Sequence, residues 1–239
     1  MSKNIFIAGT GTDVGKTYIS ALILKKLVQN GVNAAYFKAA VSGNEPGENQ
    51  KLIPGDALYV KNVSGVIQPL DEMCPYIYRQ AYSPHLAARL EGGPVELDCV
   101  RQRFKELSEK YEYVTMEGSG GVICPLRFDQ KEIWLADIIK SLGLSCLLVA
   151  DAGLGAINSV GLTASYMRRE GIPLKGIILN RFKPGGVIYE DNLRMCEYVS
   201  GVRVVACAED NGELSVSAQA LMSLTEKRRG EIEDDMVSL

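Results

Sequence analysis

The chain has 239 residues, 46% of them hydrophobic and 23% charged, with a formal net charge of −3, so it has the makings of a globular core but lacks the basic excess that a phosphodiester partner demands. Six scattered cysteines form no C-x-x-C pair and the single His85 stands apart from them, which excludes a sequence-evident zinc site and points to reduced thiols. The first apolar run stops at Gly9 after four residues, too early for a signal-peptide core, and no later run has the length of a bilayer span, so we expect no membrane association and a cytoplasmic location.

In chain order, IFIAG predicts a first strand ending at Gly9, and the spacing of Ile19, Leu22, Ile23 and Leu27 predicts a helix over 16–29 that stops at Asn30-Gly31. Further strands are predicted at NAAYFKA, YEYVTMEG, SCLLVAD, KGIILN and VRVVAC. Residues 43–55, rich in glycine, proline and polar groups, read as a mobile loop rather than a linker. Trp134, in EIWLADII, reads as part of the packed face of a helix. Strands alternating with helical stretches predict an α/β fold in which helices cover both faces of a mostly parallel sheet. One domain is expected over 1–225, followed by a charged tail at 226–239.

Between the first strand and the first helix lies GTGTDVGKT, Gly9 to Thr17. Glycines there let successive backbone N–H groups converge on an anion, the helix N-terminus adds a favourable dipole, and Lys16 and Thr17 complete a phosphate cradle. The strict G-x-x-x-x-G-K-[ST] pattern would need glycine where Thr10 stands, so the loop is a variant. It also lacks a lysine at position 11, the mark of partitioning-type ATPases.

Other pieces fall at predicted strand ends or helix starts, where ligands bind in open parallel sheets. These are Lys38 and Ser42 in KAAVSG, Asp56 in PGDALYV, Glu117 in EGSGG, the GLGAIN segment leading into a helix at Asn158, and Asn180 in GIILN. Taken with GTGTDVGKT and SPHLAA, these stretches resemble dethiobiotin synthetase, a P-loop NTPase-like, single-domain family, over Gly9 to about Asn180. The family converts 7,8-diaminononanoate, carbon dioxide and MgATP into dethiobiotin, ADP and phosphate.

The resemblance implies a role for each matching residue. Lys16 neutralises the β- and γ-phosphates, with Asp13, Val14, Gly15 and Thr17 around them, and Lys38 stabilises charge between a substrate carbamate and the γ-phosphate. Thr17, Asp56 and Glu117 are implied magnesium ligands. Thr12 and Ser42 are implied to hold the carbamate or diamine, while Gly118, Gly120 and Gly121 allow close backbone approach. Asn180 is implied to read the base, with Glu209 and Asn211 as further base contacts. The family dimerises, and Gly155 and Asn158 are implied to receive the substrate's distant carboxylate from the neighbouring subunit. Each residue also has an ordinary reading: a snorkelling lysine for Lys38, a first-turn acid for Asp56, a chain-reversing glycine for Gly121, a helix N-cap for Asn158. Asp151, at the end of a strand, reads as structural, and His85 as packed or hydrogen-bonded rather than a general base.

Two departures bear on the reading. Ala39 stands where the family usually has proline after the lysine, and residues 205–211 differ from the family's base-framing segment, so purine selectivity is the least anchored of the expectations. The alternatives are a cobyrinate-type amidoligase, which needs a glutaminase domain the chain has little room for, and a partitioning ATPase, which needs the missing loop lysine.

Overall fold

Residues 5–8 alternate between two faces of one strand: Ile5 and Ile7 pack on one side, Phe6 and Ala8 on the other, and all four are fully buried. A strand apolar on both faces needs cover on both. The computed structural model, which describes residues 2–47, 50–209 and 212–225, provides it. Asn211 and the tail at 226–239 lie outside the described residues.

The first half of the chain runs β1 (Lys3–Gly9), α1 (Lys16–Gln29), β2 (Ala34–Lys38), β3 (Ala40–Val41), α2 (Gly55–Ser64), β4 (Tyr76–Ile77), α3 (Pro84–Glu91), α4 (Leu97–Lys110) and β5 (Tyr113–Glu117). The second half runs β6 (Pro125–Phe128), β7 (Glu132–Trp134), α5 (Leu135–Ser141), β8 (Cys146–Asp151), α6 (Ala156–Arg169), β9 (Leu174–Asn180), α7 (Val187–Ser200), β10 (Val204–Ala208) and α8 (Ala218–Ser223). Six strands form one sheet in the order β10-β9-β8-β1-β5-β2, every neighbour parallel. These six are the strands the sequence predicts.

One face carries Ile5, Ile7, Tyr36 and Val149 against α1, α2 and α8; the other carries Phe6, Phe37, Met116 and Leu148 against α3 to α7. β1 lies inside the sheet, and residue 38 of β2 is in register with residue 117 of β5. The carboxyl ends of β1, β2 and β5 therefore open onto one region, to which each delivers a different functional group.

Two expectations are corrected. Trp134 ends β7, in a short antiparallel hairpin with β6, and α5 begins one residue later; its backbone N–H donates to Asp137 at the new helix's first turn. The apolar spacing of EIWLADII runs across this boundary, which is why it reads as one helix. Asn158 is no N-cap: α6 starts at Ala156 after Gly155, which takes the left-handed conformation at φ 89°. Among the described residues no helix is long and apolar enough to cross a membrane.

Candidate active site

The phosphate loop connects β1 to α1. Gly15 precedes the helix at φ 93°, and no side chain caps the first turn. Its N-terminal N–H groups are thus left for an anion, which the helix dipole also favours. Lys16, buried on that first turn, reaches back over the loop to donate to the carbonyl of Gly11 at 2.9 Å. Burial lowers its pKa, and the repulsion of Lys38 adds to that, while Glu117 and Asp56 oppose it.

Beside this loop the ends of β2 and β5 bring a lysine onto two carboxylates. Lys38 Nζ donates to Asp56 Oδ2 at 2.6 Å and to Glu117 Oε1 at 2.7 Å. Glu117 is only 1% exposed and Lys38 6%. Burial pulls the Lys38 pKa down, but the two carboxylates outweigh it and the net direction is up. Glu117 Oε1 also accepts from Thr17 Oγ1 at 2.8 Å, and its other oxygen accepts from the Tyr36 hydroxyl at 2.9 Å.

Asp56 and Glu117 thus offer hard oxygen donors around a position that an ammonium group already occupies, and Thr17 adds a hydroxyl oxygen hydrogen-bonded to Glu117. The formal charges of Lys16 and Lys38 cancel those of Asp56 and Glu117. This donor set fits a magnesium ion, which takes few protein oxygens and fills its shell with water and phosphate.

These groups line one cleft of about 1000 Å³, together with Thr12, Asp13, Ser42, Gly120 and Gly121. Ser42 Oγ donates to the carbonyl of Tyr82 at 2.5 Å. Gly120 takes φ 64°, and Gly121 lies beside the phosphate loop, where a Cβ would meet Gly11 Cα at an ordinary contact distance of 3.6 Å. Gly118 has a different reason to be glycine: a Cβ would lie 2.9 Å from Leu135 and 3.0 Å from the Phe6 ring, so core side chains would have to shift to admit one.

Other expected residues lie outside this cleft lining. Asn180 is 3% exposed, and its Nδ2 donates to the carbonyl of Val14 behind the loop. Gly155 and Asn158 lie at the start of α6, after β8. Glu209 follows β10, and its carbonyl accepts from the hydroxyl of the cleft-lining Tyr18 at 3.0 Å. Asp151 Oδ1 accepts from Gly153 N–H, and its other oxygen pairs with Arg181. His85 Nδ1 lies 3.0 Å from Ser83 Oγ.

Sequence reasoning passed over Tyr36, Cys124 and Arg181. Tyr36 was within reach, because it stands two residues before Lys38 in a strand and so shares its face. Cys124 lines the cleft as a thiol whose pKa burial raises to about 11. Tyr36→Phe should leave Glu117 short of one partner at nearly constant volume. A loss of about 1–2 kcal/mol in stability is expected, with a higher magnesium requirement for nucleotide binding. Thermal melts and magnesium titration of nucleotide affinity would check both.

A variant phosphate loop and a buried lysine–carboxylate cluster at the carboxyl edge of a parallel sheet define a P-loop nucleotide-dependent protein. The AAA domain family matches residues 3–217. The chain belongs to the ATP-dependent dethiobiotin synthetase family. It is 43% identical to the Brachyspira hyodysenteriae ATP-dependent dethiobiotin synthetase over 227 residues, 95% of this chain and all of that one. The Clostridium botulinum protein of the same name is 41% identical over the same shares. That of Clostridium kluyveri is 45% identical over 86% of this chain and 85% of its own. The fold is shared with the cell division protein FtsY of Thermotoga maritima (TM-score 0.55, 15% identity, 95% of this chain and 69% of that one). It is shared equally with the MinC:MinD cell division protein complex of Aquifex aeolicus (TM-score 0.55, 15% identity, 94% of each chain).

Proposed function

We infer that the protein closes 7,8-diaminononanoate and carbon dioxide into dethiobiotin at the expense of ATP, releasing ADP and phosphate. One observation carries this reading to the residues: the Lys38 ammonium, buried beside the phosphate loop, between Asp56 and Glu117. An amine of the substrate adds to carbon dioxide, losing a proton and giving a carbamate. A carbamate oxygen attacks the γ-phosphorus as the bond to ADP breaks, and the second amine then attacks the carbamate carbon and expels phosphate, with loss of a proton. The physical difficulty is to bring two anions together. Lys16 and Lys38 meet it by holding positive charge on either side of the transferring group, in a site where burial strengthens each interaction.

Thr12, Ser42 and the turn at Gly120 and Gly121 are proposed to orient the carbamate and diamine, while Asp13, Val14, Gly15 and Gly118 shape the loops around the nucleotide. Thr17, Asp56 and Glu117 are proposed to hold magnesium, which when bound supplies charge that screens the triphosphate. Base contacts are assigned to Asn180 and to residues 209–211. A single domain over 1–225, a charged tail beyond it and a cytoplasmic location complete the proposal.

The protein is further proposed to act as a homodimer, with Gly155 and Asn158 of one copy receiving the carboxylate of substrate held by the other. Support comes from apolar side chains left exposed around α6 and α7: Leu154 at 91%, Leu162, Val187, and Tyr198 at 82%. Exposed apolar side chains on two helices that pack against each other suit a protein partner. Tyr198→Glu is expected to yield monomers by sedimentation and to raise the KM for the diamine; a dimer of unchanged stability and an unchanged KM would refute this face.

The deciding experiment measures phosphate release from MgATP and bicarbonate with and without 7,8-diaminononanoate, together with fixation of labelled carbonate into acid-stable product. Both signals should depend on the diamine. Phosphate release regardless of diamine, with no label fixed, would leave only an ATPase site.

A further inference from the structure

Two consecutive residues hold two consecutive carbonyls of the phosphate loop. Asn180 Nδ2 donates to the carbonyl of Val14 at 3.0 Å, and a terminal nitrogen of Arg181 donates to the carbonyl of Asp13 at 3.0 Å. The other terminal nitrogen of Arg181 donates to Asp151 Oδ2 at 2.6 Å, and Asp151 Oδ1 is fixed by the N–H of Gly153 at 2.8 Å. The ends of β8 and β9 are therefore tied together, and both are tied to the loop after β1.

Backbone conformation at both ends of the Arg181 contact agrees with a constrained connection. Asp13 has φ 60° and Arg181 φ 57°. Side-chain-bearing residues seldom adopt that region unless their surroundings hold them there. Of the three such residues among the described ones, Asp13, Gln50 and Arg181, the first and the last are joined to each other, although 168 positions separate them.

A trans peptide is planar, with its C=O and the following N–H pointing in opposite directions. Drawing the carbonyls of Asp13 and Val14 toward the end of β9 therefore turns the N–H groups of Val14 and Gly15 the other way. These are the groups a phosphate loop needs on its concave side. We propose that Asn180 and Arg181 form a latch that sets the peptide planes of the phosphate cradle before nucleotide arrives, with Asp151 as the counter-ion that aims the guanidinium. Arg181 and Asp151 are positioning residues in this account, acting on phosphate through the loop backbone. The account rests on the loop's role as a phosphate site.

Arg181 also borders the cleft, so a direct contact with the nucleoside is the rival explanation. Inorganic tripolyphosphate separates the two, since it has no base. Calorimetric titration of the full chain with ADP and with tripolyphosphate should show Arg181→Ala weakening both about tenfold, the scale of one charge-assisted hydrogen bond. Added guanidinium ion at millimolar concentration should restore part of the loss. Asp151→Asn keeps the side-chain shape and should weaken both ligands in the same way, and the double variant should be little worse than either single one because both break one connection. Weaker ADP with unchanged tripolyphosphate would overturn the latch in favour of a base contact, and unchanged affinity for both would overturn it outright. A wild-type chain that binds neither ligand would overturn the phosphate-loop reading itself, a result distinct from failure of the latch alone.

Discussion

Lys38→Ala is expected to abolish turnover, by about a thousandfold or more on the scale of lost electrostatic stabilisation, while nucleotide still binds. The ammonium is the only cation hydrogen-bonded to Glu117 among the described residues, and the carboxylate is buried. Removing one partner of a buried pair leaves the other charge without compensation, at a cost of about 3–5 kcal/mol. For a chain of this size that corresponds to a fall in Tm of about 6–20 °C. Magnesium should recover more stability in the variant than in the wild type, because the carboxylates have then lost the ammonium hydrogen-bonded to both. The pH dependence has a definite sign. The Lys38 pKa is raised above its ordinary 10.5, so the stability it lends is fully present below that value and is lost only as pH rises through the higher folded value. Its contribution should therefore be level across the neutral range. Phosphate release, ADP titration and melts with and without magnesium test these expectations together; an active Lys38→Ala protein would refute the catalytic assignment.

Gly15→Ala is expected to cost nucleotide binding about a hundredfold or more, from strain and displacement acting together. The glycine sits at φ 93°, and a Cβ would fall 2.1 Å from Asn180 Nδ2. The alanine variant must leave the left-handed region, push Asn180 away, or do both, and each response disturbs the contact between Asn180 and Val14. Pairing it with Asn180→Ala removes the collision but not the backbone strain, so binding should recover only in part. Calorimetry with ADP on both variants checks this, with circular dichroism to establish that α1 still forms. Full affinity in Gly15→Ala would mean that the loop does not need its observed shape.

The six strands were legible because each contains a mostly apolar run, buried on both faces in the inner strands, as at Ile5 to Ala8. Their order was not. Nothing in the letters places β1 between β5 and β8, yet that order, with β2 beside β5, lets Lys38 meet Glu117 across 79 positions. The individual residues of the phosphate loop were marked by familiar spacing, whereas Arg181 was silent because its partners, Asp13 and Asp151, are distant in sequence. Gly118 shows the opposite difficulty. Its place in EGSGG suggests a ligand, but the atoms that exclude a side chain there belong to Phe6 and Leu135. A glycine's letter does not say what crowds it.

The site draws its main groups from the ends of β1, β2 and β5, strands that are almost wholly buried. Amide exchange in such strands requires opening of the whole domain rather than local fraying, so the reacting groups should be among the slowest-exchanging parts of the molecule while the rim around Tyr82 and Ser83 exchanges quickly. Damage elsewhere in the sheet would then reduce the number of working molecules and leave each survivor's turnover intact, so that loss of activity at a distance is read in abundance and not in rate.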